Sequence, residues 1–158
     1  MPHHSPSHAT RSTRRAALKA AAAGMALSIL PIRTALATPE SLATALRETF
    51  GDIEIRRGRV KLDIALIAED GTIVPTTITV DSPMTEADHV KEIHLFAERN
   101  PLPRVAAFYL GPHNGRAQVS TRIRLAEAQR VIVIARMSDG SLWSDEMQVE
   151  VSLTACGG

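Results

Sequence analysis

Cys156 is the residue on which chemistry can be built. It is the single cysteine of the 158 residues, and only Gly157 and Gly158 follow it. A lone thiol cannot close an internal disulfide, although cysteines of proteins in oxidising compartments normally pair. The two glycines remove side chains around the sulfur and leave the backbone free to adopt many conformations. The alternating pattern of the last strand ends at Leu153, so Thr154 to Gly158 is expected to extend as a free arm. Five extended residues reach on the order of 17 Å, enough to enter a cleft in another protein. The terminal carboxylate, two residues away, disfavours a thiolate, and no Arg, Lys or His stands close in sequence to oppose it. An accessible thiol that is not activated suits a covalent carrier whose reactivity is supplied by a partner. It suits an autonomous enzyme poorly.

Other constellations are weaker. Past residue 37 the histidines are His89, His94 and His113, at spacings unlike those of zinc motifs, and they are read as exposed or incidental. Asp81, Glu86 and Asp88 share one stretch that could attract a cation, but a solvated loop is the simpler reading. No glycine-rich turn opens a helix after a strand, so phosphate cradling is not expected. No base-and-nucleophile set is legible, so no catalytic residue, metal ligand or cofactor is assigned.

The first 37 residues read as an export signal to be set apart from the fold. Arg11, Arg14, Arg15 and Lys19 are followed by an apolar run from Ala20 to Leu30, then by Ala35-Leu36-Ala37 as a cleavage site. Arg14-Arg15 is similar to a twin-arginine signal, with an ordinary secretory signal as the alternative. The expected destination is the periplasm. His3, His4 and His8 fall in this segment and receive no role. Removing its five basic residues from the 18 Lys and Arg leaves 13 against 17 Asp and Glu, a formal charge of −4. A mildly acidic surface is a poor partner for nucleic acid. The apolar run is too short to span a membrane.

The elements that must present the arm follow from the periodicity of residues 38–153. Thr38-Pro39-Glu40 opens a helix, Leu42, Ala45, Leu46 and Phe50 recur at helical spacing, and Gly51 ends it. The period then becomes two. Val60, Leu62, Ile64 and Leu66 share one face, and Thr72 to Val80 follows the turn at Glu69-Asp70-Gly71, with Pro75 suggesting an edge or a bulge. Ile93, Leu95 and Ala97 alternate with His94, Phe96 and Glu98, and Arg104 to Leu110 is the next strand. Gly111 to Gly115 is a turn. Val119, Thr121, Ile123 and Leu125 share a face, Val131 to Ala135 is continuously apolar and buried on both sides, and Ser138 to Ser141 marks a hairpin. Met147, Val149, Val151 and Leu153 close the pattern. Seven or eight short strands after one helix predict an all-β, immunoglobulin-like antiparallel sandwich.

These residues carry a family likeness. The twin-arginine start, Asp81-Ser82-Pro83-Met84, and Asn100-Pro101-Leu102-Pro103 followed by Phe108 are its first pieces. Ser120-Thr121-Arg122-Ile123-Arg124-Leu125-Ala126, Gln129, Met137-Ser138-Asp139-Gly140 and the terminal Cys156-Gly157-Gly158 complete it. The chain resembles the SoxY family, the substrate-carrying subunits of the periplasmic thiosulfate-oxidising (Sox) system. The resemblance implies an immunoglobulin-like sandwich paired with a second sandwich subunit, SoxZ. It implies Cys156 as the substrate-attachment residue, with Gly157 and Gly158 as its flexible flanks. It also implies a haem c enzyme (SoxAX) that joins thiosulfate to the cysteine and a hydrolase (SoxB) that releases sulfate. In the tail, Thr154-Ala155 replace the Gly-Gly of the family, and β-branched Thr is stiffer than Gly. A second reading remains open from composition alone: a non-catalytic periplasmic adaptor in which Cys156 is incidental.

Overall fold

The computed structural model describes residues 39–152. The signal-like segment, Thr38 and the tail with Cys156, Gly157 and Gly158 lie outside the described residues.

Helix α1 (Pro39–Phe50) forms where the spacing predicts it. Glu40 lies in its first turn and Arg47 in its last, both favourable to the helix dipole. Gly51 closes it in the left-handed region at φ 68°, donating its N–H to the Arg47 carbonyl at 2.8 Å. Leu42 and Phe50 are buried, with Ala45 and Leu46 packed beside them.

Nine strands follow: β1 (Ile55–Arg57), β2 (Val60–Ile64), β3 (Ile67–Ala68), β4 (Val74–Val80), β5 (Val90–Ala97), β6 (Arg104–Tyr109), β7 (Gln118–Ile123), β8 (Gln129–Met137) and β9 (Leu142–Val151). They make two sheets. The larger runs β1-β9-β8-β5-β6, with β3 also paired to β9, and the smaller runs β2-β4-β7. The main core lies between them. Leu62, Ile78 and Ile123 of the smaller sheet pack with Ile93, Leu95, Val131, Val133 and Val149 of the larger. The predicted sandwich is the fold of the chain.

The far face of the larger sheet is also buried, under α1. Phe96, Ile132, Ile134 and Leu142 pack against Leu42 and Phe50. Consequently β5 from Ile93 to Ala97 and β8 from Val131 to Ala135 are buried on both sides. That matches the continuous run of β8 and corrects the reading of His94 as exposed or incidental: it is buried at 3% exposure. Alternation along β5 reports one face only, and the cover on the other comes from a helix distant in sequence.

Three further details depart from expectation. Pairing is not wholly antiparallel, because β1 and β3 each run parallel to β9. Pro75 lies in β4, the central strand of its sheet, rather than on an edge or at a bulge. The β2 ladder stops at Ile64 and Thr76, so at Pro75 only β7 is alongside and the missing N–H is not needed there. Finally, Leu66 does not continue the inward face of β2. After Ile64 the chain leaves the smaller sheet to pair as β3 with β9, and Leu66 stands 59% exposed.

Candidate functional site at the end of strand β9

Strand β9 fixes where the segment leading to Cys156 begins. It is held by β8 over eight residue pairs, from Gln129 opposite Val149 to Arg136 opposite Leu142. The hairpin joining them is braced by Asp139, whose Oδ1 accepts from the Ser141 N–H at 2.8 Å and hydroxyl at 2.6 Å. On its other side β9 takes β1 along Leu142 to Ser144 and β3 along Glu150 and Val151. Asp145 ties it to the second sheet by accepting from the Leu62 N–H at 2.8 Å.

The last turn of β9 is held with particular care. The Glu150 N–H donates to Leu66 O at 2.8 Å, and the Ser152 N–H donates to Ala68 O at 2.9 Å. Gly71 packs against the same place. A Cβ there would meet the Leu125 carbonyl oxygen at 2.5 Å and a Val151 methyl at 2.8 Å, so only glycine allows this approach. The Leu125 N–H donates to Gly71 O at 2.7 Å, closing the contact. Asp70 accepts from the Thr72 N–H at 2.8 Å and hydroxyl at 2.6 Å. These bonds, the Thr72 hydroxyl first, hold the Asp70 carboxyl below its ordinary pKa. Up to Ser152 the backbone is therefore rigidly anchored. Cys156 lies five residues beyond Val151 in the chain.

Among the described residues the histidines do not form a site. His89 places Nδ1 3.0 Å from the Thr85 carbonyl ahead of β5, His94 is inside β5, and His113 is in a short 3-10 turn. Among the described residues no three His, Cys, Asp or Glu side chains come together as a metal site. Within the acidic stretch, Asp88 pairs with Arg59 at 3.1 Å, and the Arg59 Nε–H donates to Asp81 O at 3.0 Å. The guanidinium supplies the positive charge that a cation would otherwise bring.

One polar cluster escaped the sequence. His94 Nε2 lies 2.8 Å from Glu92 Oε2, and Glu92 Oε1 lies 3.7 Å from Arg136 Nε. A carboxylate only accepts, so the ring proton is on Nε2. Arg136 in turn donates to the Thr49 carbonyl at 3.2 Å, and its guanidinium sits 5.4 Å from the centre of the Phe50 ring. The cluster includes no nucleophile; it fastens α1 to the sheet. A His at a position alternating with Ile93 and Leu95 was its only trace in the sequence.

Several motif residues prove to be structural. Asn100 donates to Arg124 O at 2.7 Å and accepts from the Ala126 N–H and from Gln129, both at 3.0 Å. Gln129, 1% exposed, accepts from the Arg99 N–H at 2.8 Å. Asn100, the segment ending at Ala126, and Gln129 thus form one staple between two loops. Ser138 does similar work, donating to Ala87 O at 3.0 Å and accepting from the His89 N–H at 3.2 Å. Met84, from the Asp81-to-Met84 motif, is a buried core residue.

The comparisons agree with this picture. The family described as sulfur oxidation protein SoxY matches residues 46–156, a span that ends on Cys156. The structure of the sulfur carrier protein SoxY from Chlorobium limicola f thiosulfatophilum is similar at a TM-score of 0.60 and 27% identity, covering 71% of this chain and 92% of that one. Superoxide reductase (neelaredoxin) from Ignicoccus hospitalis gives a TM-score of 0.53 at 15% identity, covering 60% of this chain and 80% of that one. A putative superoxide reductase from Thermotoga maritima gives 0.52 at 17% identity, covering 63% and 93%. The likeness to these two is one of fold alone. No curated protein matches the chain. With more than two thirds of its residues inside the matched span, and the motifs of that span accounted for by the fold, the chain belongs to the SoxY family of sulfur-oxidation proteins.

Proposed function

We propose that this chain carries sulfur intermediates of thiosulfate oxidation, bound covalently to Cys156 and presented to separate enzymes. The observation that carries the reading is the family match running to Cys156 itself, five residues past a rigidly anchored strand. The solved relative from Chlorobium limicola f thiosulfatophilum is named as a sulfur carrier protein, which supports the same role.

Loading joins the Cys156 sulfur to the outer sulfur of thiosulfate. One S–S bond forms, the thiol proton leaves, and two electrons pass to a haem c enzyme of SoxAX type. Hydrolysis by a SoxB-type enzyme then adds water across the sulfane–sulfonate bond. Sulfate departs and a persulfide stays on Cys156. The chain's part is to hold the sulfur and deliver it, so activation of the thiol falls to the partner's site. The carrier works in the periplasm, exported by its twin-arginine segment, and pairs with a SoxZ-like sandwich subunit.

Replacing the sulfur tests the reading. In a reconstituted system, Cys156→Ser is expected to abolish thiosulfate-dependent electron transfer while leaving Tm unchanged. Retained turnover in that variant contradicts the carrier role and favours an adaptor in which the cysteine is incidental.

A further inference from the structure

The staple that joins the loop before β6 to the end of β7 frames an open concavity of about 300 Å³, lined by Asn100, Pro101, Leu102, Arg104, Val105 and Arg124. Both arginines are exposed, and among the described residues neither pairs with a carboxylate. Arg56, Arg57, Arg59, Arg99, Arg130 and Arg136 all do. The acids of the neighbouring loops are already engaged. Glu127 faces Arg99 at 3.6 Å, Glu98 accepts from Arg130 at 3.2 Å, and Asp70, whose carboxylate feels the Arg124 charge, accepts from Thr72. Arg122, exposed in β7 two residues before Arg124, adds to the same positive field.

The backbone beneath both arginines is fixed. Arg104 opens β6 opposite Phe96, and the Ala97 N–H donates to Pro103 O at 2.8 Å. On the other side Asn100 Nδ2 donates to Arg124 O at 2.7 Å. Pro101 and Pro103 restrict the loop between these anchors. Asn100 Oδ1 is filled by the Ala126 N–H and Gln129, but one of the two Nδ2 hydrogens has no acceptor among the described residues. Leu102 is 77% exposed, so it contributes nothing to the core. With Pro101 and Val105 it gives the concavity an apolar wall beside its donors.

Guanidinium groups hold tetrahedral oxyanions through paired N–H donors and shed water more readily than ammonium groups. Residues 38–158 carry a formal charge of −4, so two uncompensated guanidiniums in one concavity make a positive spot on an acidic surface. Donors alone would satisfy sulfate or phosphate. A wall of aliphatic carbon beside them fits an anion with one polarisable, weakly hydrated end. Thiosulfate has that form, with three oxygens at one end and a bare sulfur at the other. We propose that Arg104 and Arg124 bind the oxygen end of free thiosulfate non-covalently, with its terminal sulfur against Leu102, Pro101 and Val105. The choice of anion rests on the carrier reading given above and deepens it, because the body then recognises the compound whose sulfur it carries.

The probe is sodium thiosulfate, titrated at constant ionic strength into the Cys156→Ser chain assembled with its SoxZ-like subunit. Sodium sulfate and sodium phosphate are titrated in parallel. Calorimetry gives the affinity, and amide NMR shifts give the place. Saturable thiosulfate binding with a Kd on the order of 1 mM is expected, several times tighter than sulfate or phosphate, with shifts centred on Asn100, Arg104 and Arg124. Arg104→Gln and Arg124→Gln are each expected to weaken it about tenfold at unchanged Tm. Leu102→Ser, a fully exposed change, is expected to reduce thiosulfate affinity to that of sulfate while leaving sulfate binding as it was. Absence of saturable binding, binding that either arginine variant leaves intact, shifts centred elsewhere, or equal affinity for the three anions overturns the site. With Cys156 replaced, each of those failures leaves the carrier reading standing. A Cys156 that stays bare in cells oxidising thiosulfate removes the carrier reading without altering these titrations.

Discussion

Asp70 and Asp139 do the same work at two turns, each accepting from the N–H and the hydroxyl of the residue two positions on. Both carboxyls are held below the ordinary value of 3.8, Asp70 chiefly by the Thr72 hydroxyl and Asp139 chiefly by the Ser141 hydroxyl. Between the lowered value and 3.8 the unfolded chain binds more protons than the folded one, so stability rises with pH across that window. The contribution is complete above 3.8 and is lost as pH falls through the folded value. The Asp70→Asn/Asp139→Asn double variant is therefore expected to show a shallower fall of Tm on acidification than the parent, with a slightly lower Tm at neutral pH. Parallel acid limbs would contradict the assignment. Both turns were legible in the sequence, because Glu69-Asp70-Gly71 and Ser138-Asp139-Gly140 punctuate alternating strands. His94 was not legible as a buried residue. Its hydrogen bond with Glu92 is local, but the Phe50 ring, 5.1 Å from its own, arrives from an element more than forty residues away.

Helix α1 follows the same logic at the next scale. Its spacing and its glycine stop are read directly from residues 39–51, but the face it covers is not, since nothing local says that Leu42 and Phe50 rest on Phe96, Ile132 and Ile134. Phe50 is 4% exposed and meets both His94 and Phe96 edge-on. Phe50→Ala is expected to cost about 3–5 kcal/mol and lower Tm accordingly, because the helix cannot follow the collapsing cavity while Arg136 holds the Thr49 carbonyl. Chemical denaturation measures it; a loss below 1 kcal/mol would show that α1 is not fixed to the sheet. Of the strands, β2, β5, β7 and β9 were legible through alternation, β8 through a continuous apolar run, β4 through its Thr, Ile and Val content, and β6 as the stretch after the Asn100-to-Pro103 break. Strands β1 and β3 were not, being three and two residues long, with all three β1 residues exposed. Their parallel pairing with β9 is a tertiary decision. It is also what pulls Leu66 off the inward face of β2 and sets it beside the end of β9.

The whole molecule is a carrier body built to hold one strand end still. Two sheets share a core, α1 seals the outer face of the larger one, and β9 runs the length of that sheet with β1, β3 and β8 on its two sides. The motifs of the SoxY family divide accordingly. Asn100, Gln129, Ser138 and Met84 maintain the body, and the chemistry we propose is assigned to Cys156 at the end of the matched span. The central claim is that Cys156 bears the cargo. The most direct test is the intact mass of the chain purified from cells growing on thiosulfate, measured before and after reduction and localised by peptide mapping. The account predicts a sulfur-containing adduct on the peptide holding Cys156 that reductant removes. A bare thiol there under active thiosulfate oxidation, or an adduct placed elsewhere, would contradict it.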